Sequence, residues 1–260
     1  MSAQPLPAMP AYFGVGNQLF GLFHGVGGPA QTAVLLCPPF GQDLIRSHRV
    51  YRQLAEALAG RGIPSLRFDY FGSGDSSGDS VEVDWLRCQA DALTAAAELR
   101  RRSGCQRLVG FGGRLGGSLV LACATAAEFA ELIVWDPVVD GAAHVAQLDA
   151  LQDQLRLDPM RFSQPRSSLD ASAQWLGFPV DARLHQQLSA MQITTAPVPT
   201  LILDSRPPGT PDEFARLQAA GARMTSLTPA TIWNDLDRLE HAVLSPGLIR
   251  AVLSQLGKAA

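Results

Sequence analysis

The stretch Arg107-Leu-Val-Gly-Phe-Gly-Gly-Arg-Leu-Gly-Gly-Ser118 decides how the rest of the chain is to be folded. Its first half, Arg107 to Gly112, is a short apolar run that predicts a buried strand. Leu115 to Ala127 is rich in small residues and predicts a helix. The glycines between them permit a sharp strand-to-helix turn. Two motifs compete for that turn. Gly110, Gly112 and Gly116 fit a GxGxxxG dinucleotide pattern, with Asp136 after the next strand as a ribose-binding acid. Gly112-Gly113-Arg114-Leu115-Gly116 instead has every glycine of the elbow G-x-S-x-G, with Arg114 at its apex. The dinucleotide fingerprint normally opens its fold. Here four strands precede the turn, which favours the elbow.

Working outward, the chain alternates strands and helices. Ala11 to Gly16 and Gln18 to His24 form a hairpin about Gly16-Asn17. A strand at Thr32 to Cys37 is followed by a helix from Arg46 to Gly60, with Val50, Leu54, Ala57 and Leu58 on one face. Ile63 to Asp69 is a strand. Asp79, with Glu82 three residues on, caps a helix reaching about Arg102. Glu131 to Asp136 is a strand. From Gly141 to Ala196 no strand is expected. Val145, Leu148, Leu151 and Leu155 recur at helical spacing, and Pro159, Pro165 and Pro179 divide the remainder. Strand, helix and strand resume at Val198 to Leu203, Pro211 to Gly221 and Ala222 to Leu227, and a helix at Pro246 to Leu256 closes the chain. This order implies one α/β domain over residues 1–260, a mostly parallel sheet flanked by helices, with a helical cap inserted at about 141–197.

Composition narrows the function. The chain has 260 residues, 47% hydrophobic and 17% charged, enough to bury a core and unlike a disordered chain. A formal net charge of −3 offers no basic field for nucleic acid. No apolar run is long enough to span a bilayer, and the N-terminus lacks the pattern of a secretory signal. Cys37, Cys88, Cys105 and Cys123 show no close pairing, which fits a reduced, cytoplasmic chain. The five histidines lack metal-ligand spacing, so neither metal nor cofactor is expected.

Several segments together carry a family resemblance. They are Pro38-Pro-Phe-Gly41, Arg46-Ser-His-Arg49, Arg67-Phe-Asp-Tyr70, Gly74-Asp-Ser-Ser-Gly78 and Trp135-Asp-Pro-Val-Val-Asp-Gly141, with the elbow. In these the chain resembles α/β-hydrolases of the serine aminopeptidase-like kind, most of all the exosortase-A-system-associated hydrolases found beside biosynthetic gene clusters. The resemblance covers residues 10–150 well and the tail loosely. It implies an α/β-hydrolase fold and an acyl ester, thioester or amide substrate, small or carrier-bound. It also implies that Arg114 occupies the nucleophile position. A guanidinium stays protonated at neutral pH and cannot serve as a nucleophile.

Candidate site residues follow from the same comparison. His241, after the last strand, matches the hydrolase histidine, and Asp136 is the best-placed acid, with Asp204 and Asp212 as alternatives. The backbone N–H of Leu115, with one from Phe40 or Gly41, forms a candidate oxyanion hole. Arg114 on a helix N-terminus marks an anion-seeking site and predicts an anionic substrate. Its expected partner is Asp136, Glu240 or a bound anion. Ser118 and His24 are read as structural, Cys37 as an inert buried thiol with a minor alternative as nucleophile. His48 either lines the cleft or solvates a helix start, and His144 and His185 fall on the inserted segment, where surface exposure is the default. Three functions remain open: an acyl-binding or acyl-converting protein without a serine nucleophile, an inactive relative that binds an anion or a partner, and a non-hydrolytic acid–base enzyme. A homodimer is compatible with all three.

Overall fold

A computed structural model describes residues 7–28, 30–164, 166–167 and 173–257. The expected strands and helices are present, with shifted ends. The strands are β1 (Met9–Phe13), β2 (Leu19–His24), β3 (Thr32–Cys37), β4 (Ser65–Phe68), β5 (Arg107–Gly113), β6 (Glu131–Trp135), β7 (Gln174–Trp175), β8 (Phe178–Pro179), β9 (Thr200–Asp204) and β10 (Arg223–Ser226). The helices are α1 (Gly41–Ala59), α2 (Trp85–Ser103), α3 (Leu115–Cys123), α4 (Gly141–Leu157), α5 (Ala182–Ser189), α6 (Ala215–Ala219) and α7 (Pro246–Gly257).

Eight strands form one sheet in the order β1-β2-β4-β3-β5-β6-β9-β10, antiparallel only where β1, β2 and β4 meet. A dinucleotide-binding fold would show the order 3-2-1-4-5-6. The nucleotide pattern at Gly110 to Gly116 is therefore incidental. Register matters more than order for the site. Cys37 pairs with Gly112, Gly113 with Trp135, and Trp135 with Leu203. The strands β3, β5, β6 and β9 thus end in one row, and whatever follows them emerges along a single edge.

Both faces of the sheet are covered, as parallel strands require. On one side, Val50, Leu54 and Leu58 of α1 and Val252 and Leu256 of α7 pack with Val34, Phe111 and Ile133. On the other, Ala92, Ala96 and Leu99 of α2 and Leu119 of α3 pack with Leu35, Leu108 and Val134. The small residues of α2 and α3 let these helices lie close against the strands. The buried leucines each contribute about 2 kcal/mol of transfer free energy.

Four local expectations are corrected. The Asp79–Glu82 capping box closes a short 3-10 turn at Ser80–Glu82. The long helix α2 starts later, with the Asp84 carboxylate accepting the Arg87 N–H. Helix α1 begins at Gly41, five residues before Arg46, so the Pro-Pro-Phe segment runs directly into a helix N-terminus. Between β6 and β9 the chain leaves the sheet and forms α4, the small antiparallel pair β7–β8 and α5, where no strand was expected. The last inter-strand helix shrinks from Pro211–Gly221 to Ala215–Ala219. Pro165 lies outside the described residues. Among those described, no helix is long and apolar enough to cross a membrane.

Candidate functional site

The row of strand ends sets the site. At the end of β5 the chain reverses into α3 through Arg114, which has φ 51° and ψ −128°. That is unusual backbone for a side-chain-bearing residue. The glycines around it are required by contact, since a Cβ on Gly112 would sit 2.2 Å from the Gly116 carbonyl oxygen, and one on Gly116 would sit 2.3 Å from that of Cys37. One strand over, Asp136 directly follows β6 with φ 43°. Two non-glycine residues in the left-handed region thus lie on neighbouring strand ends. Such outliers cluster at functional sites because surrounding structure must hold them there. The Arg114 N–H donates to the Trp135 carbonyl at 2.9 Å, locking one turn to the other.

Arg114 is buried, and its carboxylate partner is Asp43, from the first turn of α1, with Nε 3.0 Å from Oδ2. The expected partners, Asp136 and Glu240, are corrected. Only the backbone carbonyl of Asp136 reaches the guanidinium, at 3.4 Å. Glu240 is exposed and lies 3.6 Å from Arg161. The Arg114 guanidinium also lies 5.3 Å from the centre of the Trp233 ring, within the range of a cation–π contact.

Asp136 is fully buried, and its carboxylate is committed elsewhere. It accepts hydrogen bonds from the Ser205 N–H at 2.7 Å, the Ser205 hydroxyl and the Trp233 indole N–H at 2.8 Å. Ser205 in turn accepts from the Trp135 indole N–H at 2.8 Å. Burial pushes the Asp136 carboxyl above the usual carboxylate range, and these donors pull it back. His241 is exposed, and the structure does not bring it to Asp136. The Trp233 indole occupies the acid instead. Trp233 is kept there by Arg46, whose buried guanidinium donates to three backbone carbonyls: Trp233 at 2.5 Å, Ile232 at 2.9 Å and His241 at 3.3 Å.

The other candidates are accounted for locally. Asp204 is 2.9 Å from Arg206, and Asp212 accepts the Phe214 N–H at 3.1 Å. Ser118 donates to the Val138 carbonyl at 2.5 Å within the packing of α3. Cys37 is completely buried, and burial raises its thiol pKa well above normal. His24 is buried in β2 beside Arg67. His48 faces a separate small cavity under Arg67 and Asp69. His185 is partly exposed, 3.3 Å from Asp149.

Above the elbow lies a cavity of about 210 Å³. Phe40, Gly41 and Leu115, the candidate oxyanion-hole residues, line its base. Leu148, Leu184 and Leu188 wall it from α4 and α5, and Trp175 and Phe178 of the β7–β8 pair lie over it. As first residues of their helices, Gly41 and Leu115 have N–H groups without intrahelical acceptors. Arg114 itself does not line the cavity, whereas Asp43 and Trp233, which hold its side chain, do.

His144 lines it as well, and here the expectation of a surface histidine is corrected: the residue is 7% exposed. Burial, and then the nearby Arg114 guanidinium, push its imidazole down to about 3. No other side chain or backbone group among the described residues hydrogen-bonds to its ring. A sequence signal existed for it. His144 stands four residues before Leu148, on the helical stripe that continues through Leu151 and Leu155.

No family model matches the chain, and no curated protein does. Solved structures do. Over 97% of this chain and 100% of its own length, the alpha/beta hydrolase domain-containing protein 10 from mouse is similar, with a TM-score of 0.63 at 14% identity. Est1E from Butyrivibrio proteoclasticus is similar over 96% of this chain and 99% of its own, with a TM-score of 0.62 at 17% identity. An enol-lactonase from Burkholderia xenovorans LB400 matches 92% of this chain and 96% of its own, with a TM-score of 0.58 at 17% identity. The chain has the α/β-hydrolase fold. Identities this low speak to fold, and function has to be argued from the site.

Proposed function

We propose that this is a divergent α/β-hydrolase-fold protein that binds an uncharged acyl ester or thioester and lacks serine-hydrolase chemistry, with Arg114 standing where serine hydrolases carry their nucleophile. The observation that carries it is the state of Asp136. A working triad needs its acid on a histidine, which orients the ring and stabilises its charge. Here that carboxylate is engaged by Trp233 and Ser205, and indole has no basic nitrogen with which to take a proton. The pairing of Arg114 with Asp43 offsets part of the positive charge at the elbow, which supports an uncharged ligand over the anion expected from the arginine alone.

The cavity supports the acyl class. Its walls are aliphatic and aromatic, and the free N–H groups at the starts of α1 and α3 offer hydrogen bonds to one ester or thioester carbonyl. Helices α4 and α5 and the β7–β8 pair, from the segment 141–197, act as the cap over that cavity. The resemblance to hydrolases beside biosynthetic gene clusters supports a role in a biosynthetic pathway. Acid–base turnover through His241 has less support, because that ring is exposed and lies outside the cavity.

Two measurements test this together. A fluorophosphonate probe should leave the protein unlabelled. Titration with methyl octanoate or S-octanoyl-N-acetylcysteamine should change the tryptophan emission saturably, since Trp175 and Trp233 both line the cavity. Stoichiometric labelling, or no saturable response to either ester, overturns the proposal.

A further inference from the structure

We infer that His144 is the residue that selects the polar group of the ligand, as a neutral imidazole hydrogen-bonding to an uncharged ester, thioester or amide head. This rests on the acyl-binding function proposed above and names the contact within it. The residue is 7% exposed, lines the cavity, and its ring finds no hydrogen-bond partner among the described residues. Buried polar side chains in folded proteins are nearly always partnered, because leaving one bare forfeits its solvation. The other buried polar groups around the elbow follow that rule: Arg114, Asp136, Ser118 and Ser205 are all engaged. His144 stands apart from them and faces the cavity above the elbow.

The surroundings also fix what kind of partner it wants. Burial disfavours an imidazolium, and the nearby Arg114 guanidinium adds to that, in keeping with the depressed pKa of the ring. Asp43 lines the same cavity but is held by that arginine, and Asp140 caps the first turn of α4 through the Ala143 N–H. Among the described residues lining the cavity, no carboxylate is therefore free to charge the ring. A neutral imidazole carries one donor and one acceptor nitrogen, so it can donate to a carbonyl or meet both sides of an amide or a hydroxyl, whereas a carboxylate would have to shed its hydration against the apolar wall. Leu148, one turn along α4, and Leu184 and Leu188 across from it supply the apolar wall for the chain attached to that group.

The test compares methyl octanoate with octanoate on the full chain, read by tryptophan emission and by the ring-nitrogen shifts of nitrogen-labelled histidine. Wild type should bind methyl octanoate at least about tenfold more tightly than octanoate, and the ester should move the His144 ring signals. His144→Phe should weaken the ester by about five- to tenfold and narrow the ester-to-carboxylate preference, while His144→Gln, which keeps a donor and an acceptor, should retain it. Tighter binding of octanoate, unmoved His144 signals on saturation, or equal ester affinity in His144→Phe overturns the inference and leaves acyl binding intact. The ring-signal readout needs no variant and holds even if His144→Phe does not fold. Absence of ester binding in wild type overturns both proposals.

Discussion

The floor and the wall of the cavity are built on opposite principles. In the floor, where β5 and β6 end, every polar side chain is spoken for: Arg114 by Asp43, Asp136 by Ser205 and Trp233, and the loop bearing Trp233 by Arg46. In the wall, α4 presents a buried histidine to an apolar space and leaves it open. A serine hydrolase places its open, reactive groups at the elbow. Here the elbow keeps its backbone strain, its glycines and its free helix-start N–H groups, while its polar side chains are consumed in holding the floor together. The unspent side-chain hydrogen-bonding capacity lies on the inserted segment, at His144.

The sharpest way to break this contrast is at the backbone of the elbow. In Gly116→Ala the new Cβ would lie 2.3 Å and 2.6 Å from the Cys37 and Pro38 carbonyl oxygens, both main-chain atoms that cannot swing aside. Overpacking against backbone should destabilise the fold by at least about 3 kcal/mol. Chemical denaturation would show it, and a loss below about 1 kcal/mol would mean that the elbow is not rigid.

A second substitution series asks whether the floor is inert because of Trp233 or only because of Arg114. Arg114→Ser removes one partner of a largely buried pair and should cost about 3 kcal/mol. It should remain without esterase activity, because Asp136 still carries the indole. Arg114→Ser combined with Trp233→His offers Asp136 an imidazole. The pair should hydrolyse p-nitrophenyl acetate on the order of tenfold faster than either single variant. Activity in Arg114→Ser alone would show that His241 can reach the acid, and would remove Trp233 from the explanation.

The smallest expected effect concerns the wall and is read by pH. An unfolded chain protonates His144 near its ordinary value of 6.5, whereas the folded chain resists protonation down to about 3. Below 6.5 the unfolded state therefore binds more protons at this site, and folding stability falls as pH drops through that window, with no contribution above it. The slope is about 1.4 kcal/mol per pH unit for one proton. Wild type should lose stability between about pH 6 and pH 4 more steeply than His144→Phe, by up to that slope. Parallel curves would place the His144 ring in water.

Much of this protein is legible in the sequence, for a physical reason. Period and punctuation are local properties. The apolar run at Leu108–Phe111, the glycines from Gly112 to Gly117 and the alternation of strands and helices follow from neighbours along the chain, so the α/β-hydrolase fold and the elbow at Arg114 were readable. Only the tertiary structure decided the partners. Asp43 meets Arg114 across 71 positions, and Trp233 meets Asp136 across 97. No local pattern reports such distances, and the carboxylates nearest in expectation, Asp136 and Glu240, were already bound or too exposed. His144 shows the same division. Its place on the stripe with Leu148 was written in the spacing, but its burial came only with the tertiary packing, and its lowered pKa follows first from that burial and then from an arginine delivered from the end of β5.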